Sequence, residues 1–432
     1  MNRPLLAVLA LAVSIPAAEA FCGFYVAQAD ASLFNKSSQV VLVRDGNHTS
    51  MTMANDYEGP LSEFAMVIPV PVPVKREDVI VSDKALVDAV DRYSGPRLTE
   101  YYDEDPCPDP RAWASGAGMA YPATAAPMEE REDDAPMRKE KSLGVTVLDS
   151  YQVGEYDILI LSAKESEGLQ TWLNQEGYRI PDGAGDVLTS YIRQNMKFFV
   201  AKVNLKEKAK SDTPTLRPLR VSYDSPKFML PIRLGMANAH GSQELFIYTI
   251  TPKGRVETTN YRTTKLPTQI EVPESVQTNF GPFYKALFNK TVQREGMDTV
   301  FTEYAWPLTV ACDPCSADPI TSDQLRTMGA SWVSDQYGYG STAFLTRLHV
   351  RYDWAHFPED LLFQETPDQT PWQAVYSIKH PFTGDTSCAA GKVYRKELEA
   401  RLDKDASNLS MLTGWANPRR KSQDNGFWEW QE

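Results

Sequence analysis

Residues 57–74, YEGPLSEFAMVIPVPVPV, decide how the chain is expected to fold, and residues 223–238, YDSPKFMLPIRLGMAN, repeat their pattern. In both stretches a tyrosine ends a strand, a short turn with an acidic residue and a proline follows, and Phe, Met, Ile and Pro continue in an extended run. A turn of this composition between two apolar runs is typical of a β-hairpin. The pattern predicts two related hairpins that begin two halves of one sheet-rich body, with convergent turn chemistry as the alternative to a true repeat.

The segment before the first stretch carries a strong hairpin signal of its own. An apolar run at residues 40–44 is followed by Asp45-Gly46 and by an alternating run at residues 49–55. Asp-Gly between two such runs predicts a two-residue hairpin loop. Prolines then alternate with valines through residues 70–74, which are expected to leave the sheet because proline cannot donate to a ladder.

The N-terminus has the features of a secretory signal. A positively charged start, an apolar run at residues 5–15 and Ala-Glu-Ala at residues 18–20 predict cleavage after residue 20 and export to the periplasm or beyond the cell. No later run reaches the roughly 18–20 apolar residues of a membrane span. The net charge of −13 argues against nucleic acid and against an anionic membrane surface as partners.

Composition divides the mature chain into four segments. Residues 21–102 read as a β module and residues 144–311 as an α/β module, and residues 312–432 form a cysteine-containing C-terminal region. Between the first two lie residues 103–143, rich in Pro, Ala, Gly and mixed charge. Because this segment has no core-forming period, it is expected to be a disordered or loosely held insertion.

Helical periodicity is strongest in four segments, residues 166–175, 186–194, 275–294 and 391–412. The third carries an aromatic and aliphatic stripe that is expected to pack in the core, made of Phe280, Phe283, Tyr284, Leu287 and Phe288. With the strand signals, this predicts an α+β fold: a sheet-rich body with two similar β-hairpin modules, several packing helices and a disulfide-braced C-terminal part.

Export would place the cysteines in an oxidising compartment, where disulfides form. The five cysteines are Cys22, Cys107, Cys312, Cys315 and Cys388. Cys22 and Cys107 lie at the boundaries of the first module, so they are the favoured pair. The odd number leaves one thiol over or one external partner.

Cys312-Asp313-Pro314-Cys315 is the most specific local motif. Its two-residue spacing fits a redox-active dithiol, although such a site should open a helix and none is predicted there. Zinc would need four ligands, and a second cysteine pair is missing. A structural disulfide is favoured over both, either to Cys388 or as a small ring between Cys312 and Cys315.

Arg347, His349 and Arg351 alternate along a predicted strand at residues 344–352, which puts all three on one face. In an acidic chain such a stripe would suit a carboxylate, phosphate or sulfated sugar, because guanidinium groups bind oxyanions in a bidentate manner. The alternative is internal pairing with carboxylates of neighbouring strands.

Other chemistry finds little support. The sequence has no nucleophile elbow, no phosphate-binding loop and no H-E-x-x-H motif. Asp353, His356 and His380 fall near the basic strand but at no known ligand spacing. One acidic cluster lacks the regular loop of a calcium hand and reads as a solvated turn, namely Glu100, Asp103, Glu104 and Asp105. Neither a metal nor a cofactor is expected.

Several separate motifs agree on one family. They are CGFYVAQADASLFNKSSQVVLVRDG from residue 22, FAMVIPVPVPV from residue 64, PRLTEYYDEDPC ending at residue 107, TWLNQEGYRIP from residue 171 and TRLHVRYD from residue 346. With these the chain resembles the domain-of-unknown-function 2330 family, uncharacterised and mostly exported bacterial proteins. The resemblance covers nearly the whole mature chain apart from residues 109–143.

The resemblance implies a bacterial, extracytoplasmic setting and brings no activity, cofactor or catalytic residue. Some members carry a C-terminal membrane anchor, but this chain ends in NGFWEWQE, so an anchor is not carried over. The sequence therefore favours a non-catalytic exported protein that binds an anionic small molecule or an envelope polymer, or has a structural role. The rival is a thiol–disulfide oxidoreductase that uses Cys312 and Cys315.

Overall fold

The computed structural model describes residues 24–27, 34–58, 64–107, 141–142, 144–176, 183–210, 216–238, 241–308, 310, 312–334 and 343–416. The predicted signal peptide, Cys22 and residues 108–140 and 143 of the predicted insertion lie outside the described residues.

The strands of the described residues, in chain order, are β1 Phe24–Ala27, β2 Phe34–Asp45, β3 His48–Glu58, β4 Phe64–Val70, β5 Val79–Val81, β6 Arg97–Tyr102, β7 Lys141–Ser142, β8 Val145–Val153, β9 Tyr156–Ala163, β10 Lys197–Val203, β11 Leu219–Asp224, β12 Met229–Leu230, β13 Gln243–Thr251, β14 Val256–Thr258, β15 Arg262–Lys265, β16 Ile270–Glu271, β17 Thr299–Pro307, β18 Phe344–Tyr352, β19 Leu361–Glu365, β20 Trp372–Gln373 and β21 Val375–His380. Their α-helices are α1 Lys84–Ser94, α2 Ser166–Gln175, α3 Ala184–Arg193, α4 Leu205–Lys208, α5 Phe280–Glu295, α6 Ser322–Thr327 and α7 Ala389–Thr413. The α+β, sheet-rich class is confirmed.

Two large sheets form the centre of the molecule. The nine-stranded sheet has the order β15-β17-β18-β13-β2-β3-β11-β5, with β20 paired to β17, and the six-stranded sheet has the order β1-β4-β10-β9-β8-β7. One apolar core contains alternate residues of both sheets, for example Val40 and Leu42 of β2 and Ile68 of β4. Their neighbours Val41 and Val67 face outward, the first toward α1 and α6 and the second toward α2 and α3. Strict alternation of buried residues thus builds a layered body.

The Asp45-Gly46 hairpin forms as predicted, with β2 paired to β3 and Gly46 at φ +54°. The longer prediction for residues 57–74 is wrong in one respect. β3 and β4 do not pair: β3 lies between β2 and β11, and β4 lies between β1 and β10 in the other sheet. The physical reason is that β4 buries side chains on both faces, so it needs cover on both sides, which a position inside the six-stranded sheet provides.

Residues 223–238 behave in the same way. β11 pairs with β3 and β5, whereas β12 pairs with β19 in a separate three-stranded sheet. Each of the two stretches therefore carries the chain from the nine-stranded sheet to another sheet. The similarity that the sequence suggested lies in this crossing and not in a hairpin.

The predicted helices are present with small changes. α2 has the predicted bounds, and α3 and α7 begin two residues earlier than predicted. The third begins as a 3₁₀-helix, Glu274–Asn279, and continues as α5, whose stripe packs in the core through Phe283, Leu287 and Phe288. α7 ends at Thr413 and is capped by Gly414, which has the left-handed φ of +77° that glycine tolerates best.

A second core supports a small parallel sheet of order β16-β21-β6. Tyr376 and Ile378 of β21 pack on one face of this sheet, against α5 and against Leu409 and Leu412 of α7. The other face of the sheet is open, and it forms the floor of a groove described below.

The disulfides differ from the favoured pairing. Cys107 is bonded to Cys388, so the expected pair of Cys22 with Cys107 is wrong. Cys388 is the N-cap of α7 and Cys107 follows β6, and the backbone brings their Cα atoms to 6.1 Å. Cys312 and Cys315 are bonded to each other, the ring that the sequence left open as an alternative.

Strands from all three predicted structured segments share the nine-stranded sheet, and the segment boundaries themselves stay a prediction. None of the helices in the described part of the chain combines the length and the apolar character needed to cross a lipid bilayer.

Candidate functional site

The basic strand has the predicted bounds, Phe344–Tyr352 (β18), and its alternation puts Arg347, His349 and Arg351 on one face. Leu348 and Val350 lie on the other face, in the core between the two large sheets. This basic face is turned toward α1 and α5. Asp91 of α1 accepts a hydrogen bond from Arg347, and the Phe288 ring of α5 stacks on His349.

A β-bulge supplies the central carboxylate of this face. β17 and β18 pair residue by residue up to Thr302 and again from Tyr304, so Glu303 is the extra residue between them. A bulge re-aims the side chain that it inserts. The Glu303 carboxylate accepts from Arg347 Nε at 2.5 Å and lies 2.6 Å from His349 Nδ1, and Glu303 is fully buried.

The two arginines have further partners. Arg347 Nη1 donates to Asp91 Oδ1 of α1 at 2.7 Å. Arg351 donates to Glu244, which is directly opposite on β13, and to Asn289 Oδ1 of α5 at 2.7 Å. Each guanidinium is thus held by at least two acceptors, which is the arrangement that a buried charge requires.

The His349 imidazole lies between carboxylates and aromatic rings. The Phe288 ring stacks on it with centroids 3.6 Å apart. Burial opposes its protonation, but the charges and hydrogen bonds of Glu303 and Glu244 outweigh burial, so the pKa of His349 is raised. Burial likewise opposes ionisation of Glu303, yet His349 and Arg347 outweigh it, and the pKa of Glu303 is held below its usual range.

The geometry of the basic strand is that of internal pairing, the alternative that the sequence allowed. Arg347 and His349 are only 5% and 2% exposed, so an external ligand has no access to them. Arg351 keeps a minor exposed fraction and is already paired. Ligand binding by these three residues stays a prediction that this arrangement does not support.

The Cys312–Cys315 ring lacks the surroundings of a redox dithiol. Cys312 is buried whereas Cys315 is exposed, and the next helix, α6, begins only at Ser322. A helix N-terminus at the first cysteine is what usually lowers the pKa of the attacking thiol. The ring instead contains Asp313 and Pro314, two residues that line the groove over the small parallel sheet.

The remaining candidates are paired locally. His356 Nδ1 lies 2.7 Å from Asp353 Oδ1, and His380 lies between Glu100, at 2.8 Å, and Glu274, at 3.2 Å. Within the described ranges, no group of three or more His, Cys, Asp or Glu side chains is placed to hold a metal ion.

Over the open face of the small parallel sheet lies a groove of about 750 Å³. Parallel register puts Thr99 of β6 beside Ser377 of β21, and the alternation that buries Tyr376 below turns Thr99, Tyr101 and Ser377 into the groove. The two-residue alternation of these strands therefore places one set of side chains in the floor of the groove and the other set in the core beneath it.

Two walls flank this floor. α7 contributes Lys404, Asn408 and Met411, and the opposite wall is formed by segments around Trp306, Asp313-Pro314 and residues 371–373. This volume and this mixture of aromatic and polar groups are typical of a small-molecule or polymer subsite.

Contacts at the end of β6 fix the floor against the α7 wall. The Asp103 carboxylate accepts two hydrogen bonds from Arg401, at 2.9 and 2.6 Å, and pairs with Lys379 at 3.2 Å. The Cys107–Cys388 disulfide adds a covalent link between the same two elements. Asp103 and Cys107 belong to the segment expected to be a loose insertion, and these contacts hold that end of it to β21 and α7.

One polar atom in the groove has no partner. Gln373 is 8% exposed, and its Nε2 donates to the backbone oxygen of Asp313 at 2.7 Å. Its Oε1 has no hydrogen-bond partner. Because this oxygen has almost no solvent-accessible surface, it is a cost to the fold and not a contact point for a ligand.

Sequence reasoning missed the groove because its residues come from six short segments with no shared motif. The one available signal was the alternation in β21, where Tyr376 and Ile378 are apolar and Ser377 between them is polar. Alternation alone indicates an exposed face but says nothing of what surrounds it.

A family model described as an uncharacterized protein conserved in bacteria (DUF2330) matches residues 16–364. No curated protein and no solved structure shows a significant match to the chain. The matched range ends before β20, so about half of the residues that line the groove, including Trp372, Gln373 and the α7 wall, follow it in the chain.

Proposed function

The chain belongs to the domain-of-unknown-function 2330 family, described as uncharacterized and conserved in bacteria, and we propose that it is an exported binding protein that holds a ligand without transforming it. The groove over the small parallel sheet is its contact surface. The observation that carries this proposal is the groove itself, about 750 Å³ in volume and lined by the rings of Tyr101 and Trp372 and by neutral polar side chains such as Ser377.

The basic strand is a weaker choice for the contact surface. Its side chains are already satisfied by carboxylates, and a ligand would have to displace Glu303 or Glu244 from Arg347 or Arg351. Breaking such a buried pair costs several kcal/mol, on the order of 3–5. The groove requires no such exchange.

The side chains that line the groove fit a protein that binds a ligand without converting it. Histidine and cysteine are both missing from the described residues that line it, and the Glu271 carboxylate is paired with Lys404 at 3.8 Å. Acid–base catalysis needs groups placed to give and take a proton, and nucleophilic catalysis needs an activated nucleophile. Export is supported by the features of residues 1–20.

A thermal-shift screen of the mature chain against neutral, anionic and cationic small molecules and envelope polymers tests the proposal. Since a ligand at 100 times its Kd stabilises the folded state by about 2.7 kcal/mol, at least one class should raise the melting temperature. The shift should disappear in Trp372→Ala and persist in Trp354→Ala, an exposed tryptophan outside the groove. Mass analysis of the ligand after long incubation should find it unchanged.

If no class shifts the melting temperature, or if the shift survives in Trp372→Ala, the groove is not a binding site. Conversion of the ligand during incubation would instead establish an enzyme.

The second candidate function is a thiol–disulfide oxidoreductase. The observation that favours it is the bond between Cys312 and Cys315 with Cys315 exposed. It predicts that the chain reduces insulin in the presence of dithiothreitol and that Cys312→Ser abolishes this activity. Equal activity of Cys312→Ser and the unaltered chain would exclude it.

A further inference from the structure

The chemical make-up of the groove narrows its ligand. Six lining side chains are neutral hydrogen-bonding groups, namely Thr99, Thr268, Gln269, Gln373, Ser377 and Asn408. Three are aromatic, namely Tyr101, Trp306 and Trp372. Such a lining suits a ligand that presents hydroxyl groups at its edges and C–H groups on its faces, because aromatic rings carry a negative face that attracts weakly positive C–H groups.

Charge argues in the same direction. None of the described residues that line the groove is an arginine, and its one lysine, Lys404, is paired with Glu271 at 3.8 Å. Asp313 is the remaining charged group of the lining. A phosphate or carboxylate ligand would therefore meet no free cation in the groove, whereas a neutral ligand meets no such obstacle.

We propose that the groove binds a segment of a neutral polysaccharide. The rings lie against the aromatic side chains, and the ring hydroxyl groups hydrogen-bond to the neutral polar side chains of the lining. This inference rests on the proposed function and deepens it, since it names the class of ligand for the same groove.

Isothermal titration with chitotetraose, cellotetraose and maltotetraose tests the ligand class, with free glucose for comparison. We expect binding of at least one tetrasaccharide and much weaker binding of glucose. Chitotetraose as the best ligand would indicate an N-acetylated wall glycan as the source, and either glucose oligomer would indicate a secreted glucan.

Adjacent tyrosines provide a matched pair of variants. Tyr101 lines the groove, whereas Tyr102 lies on the opposite side of β6, where its ring stacks on His380 with centroids 4.6 Å apart. Tyr101→Ala should weaken tetrasaccharide binding about tenfold. Tyr101→Phe, which keeps the ring, and Tyr102→Ala should bind as the unaltered chain does.

The outcomes separate this inference from the proposed function. If the three oligosaccharides do not bind but the thermal-shift screen finds another ligand that Tyr101→Ala loses, the polysaccharide is wrong and the binding function stands. If no ligand of any class is found, both are wrong. Equal binding of a tetrasaccharide by Tyr101→Ala and Tyr102→Ala would overturn the assignment of the groove.

Discussion

The basic strand and the groove are two polar regions of one protein, and they differ in the charge of their side chains. On β18 each of Arg347, His349 and Arg351 has a carboxylate within the fold. The groove is lined mainly by neutral polar and aromatic side chains, such as Ser377 and Tyr101. The most conspicuous charge pattern of the sequence therefore lies where charged side chains pair with each other inside the fold. The candidate site lies elsewhere, in a region that no single sequence motif marks.

The same energetic rule accounts for both regions. A charge that leaves water must find its partner inside the protein, so a buried basic stripe implies buried acids nearby. A neutral side chain at the edge of a groove can remain without a ligand at a smaller cost in free energy. The predictions that follow test this division between groups that serve the fold and groups that serve binding.

The largest effect is expected for Glu303→Gln. The substitution leaves Arg347 and His349 buried without their shared counter-charge, so the free energy of unfolding should fall by about 3–5 kcal/mol. Urea denaturation followed by circular dichroism at pH 7 measures it. Glu295→Gln, which breaks a surface pair with the 55% exposed Arg262, is the matched control and should cost less than about 1 kcal/mol. Equal losses for the two variants would mean that the buried network is not a stability element.

The next effect concerns the link between the floor and the α7 wall. Replacing both Cys107 and Cys388 with Ser opens a loop with a sequence separation of 281 residues. Disulfides typically stabilise the fold by about 2–4 kcal/mol, less than the chain-entropy model gives for so long a loop, so the free energy of unfolding should fall by about that amount. Ligand affinity should fall as well, because the two sides of the groove lose a covalent constraint. Denaturation and titration on the same preparation measure both.

The double substitution of Cys312 and Cys315 with Ser is the control. With a sequence separation of only three residues, that ring constrains the unfolded chain much less. A larger loss of stability there than in the Cys107 and Cys388 variant would contradict the entropic argument.

Sequence patterns predicted the individual helices and strands of this fold better than they predicted which strands pair with each other. The periods of 3.6 and 2 gave α2 and β18 with their observed bounds, because each pattern reports which residues of one element are buried. They did not reveal that β3 and β4 lie in different sheets, since the choice of partner depends on contacts far apart in sequence.

The candidate site shows the same limit. Alternation correctly put three basic residues on one face of β18, yet the bulge that turns Glu303 toward them arises from the pairing of two strands and leaves no local trace. The Cys107–Cys388 bond likewise depends on where β6 ends relative to α7, which no cysteine spacing encodes.

A third kind of polar residue, buried but incompletely paired, gives a pH-dependent prediction. Asp405 of α7 is 3% exposed, its Oδ1 has no hydrogen-bond partner, and burial together with the Glu271 charge raises its pKa to about 6. Because the folded state holds this proton more tightly than the unfolded state does, its contribution to stability is complete below about pH 4 and is lost as the pH rises through 6. Asp405→Asn should then stabilise the protein by about 1–2 kcal/mol at pH 7 and leave it unchanged at pH 4.

Denaturation of this variant at both pH values is the measurement, with Asp403→Asn, an exposed neighbour on the same helix, as the control. A gain at pH 7 that persists at pH 4 would show that charge is not its cause.

The smallest effect on stability is expected in the groove itself. Tyr101 is 56% exposed on the face of β6 that lines the groove, so Tyr101→Ala should change the free energy of unfolding by less than about 0.5 kcal/mol, as surface substitutions usually do. Chemical denaturation beside Tyr102→Ala, whose tyrosine is 71% exposed, checks this. The comparison matters because a groove built for a ligand should lose affinity without losing stability. If Tyr101→Ala destabilised the protein by more than 1 kcal/mol, Tyr101 would belong with Glu303 among the groups that serve the fold, and weaker ligand binding by that variant would no longer argue for a site.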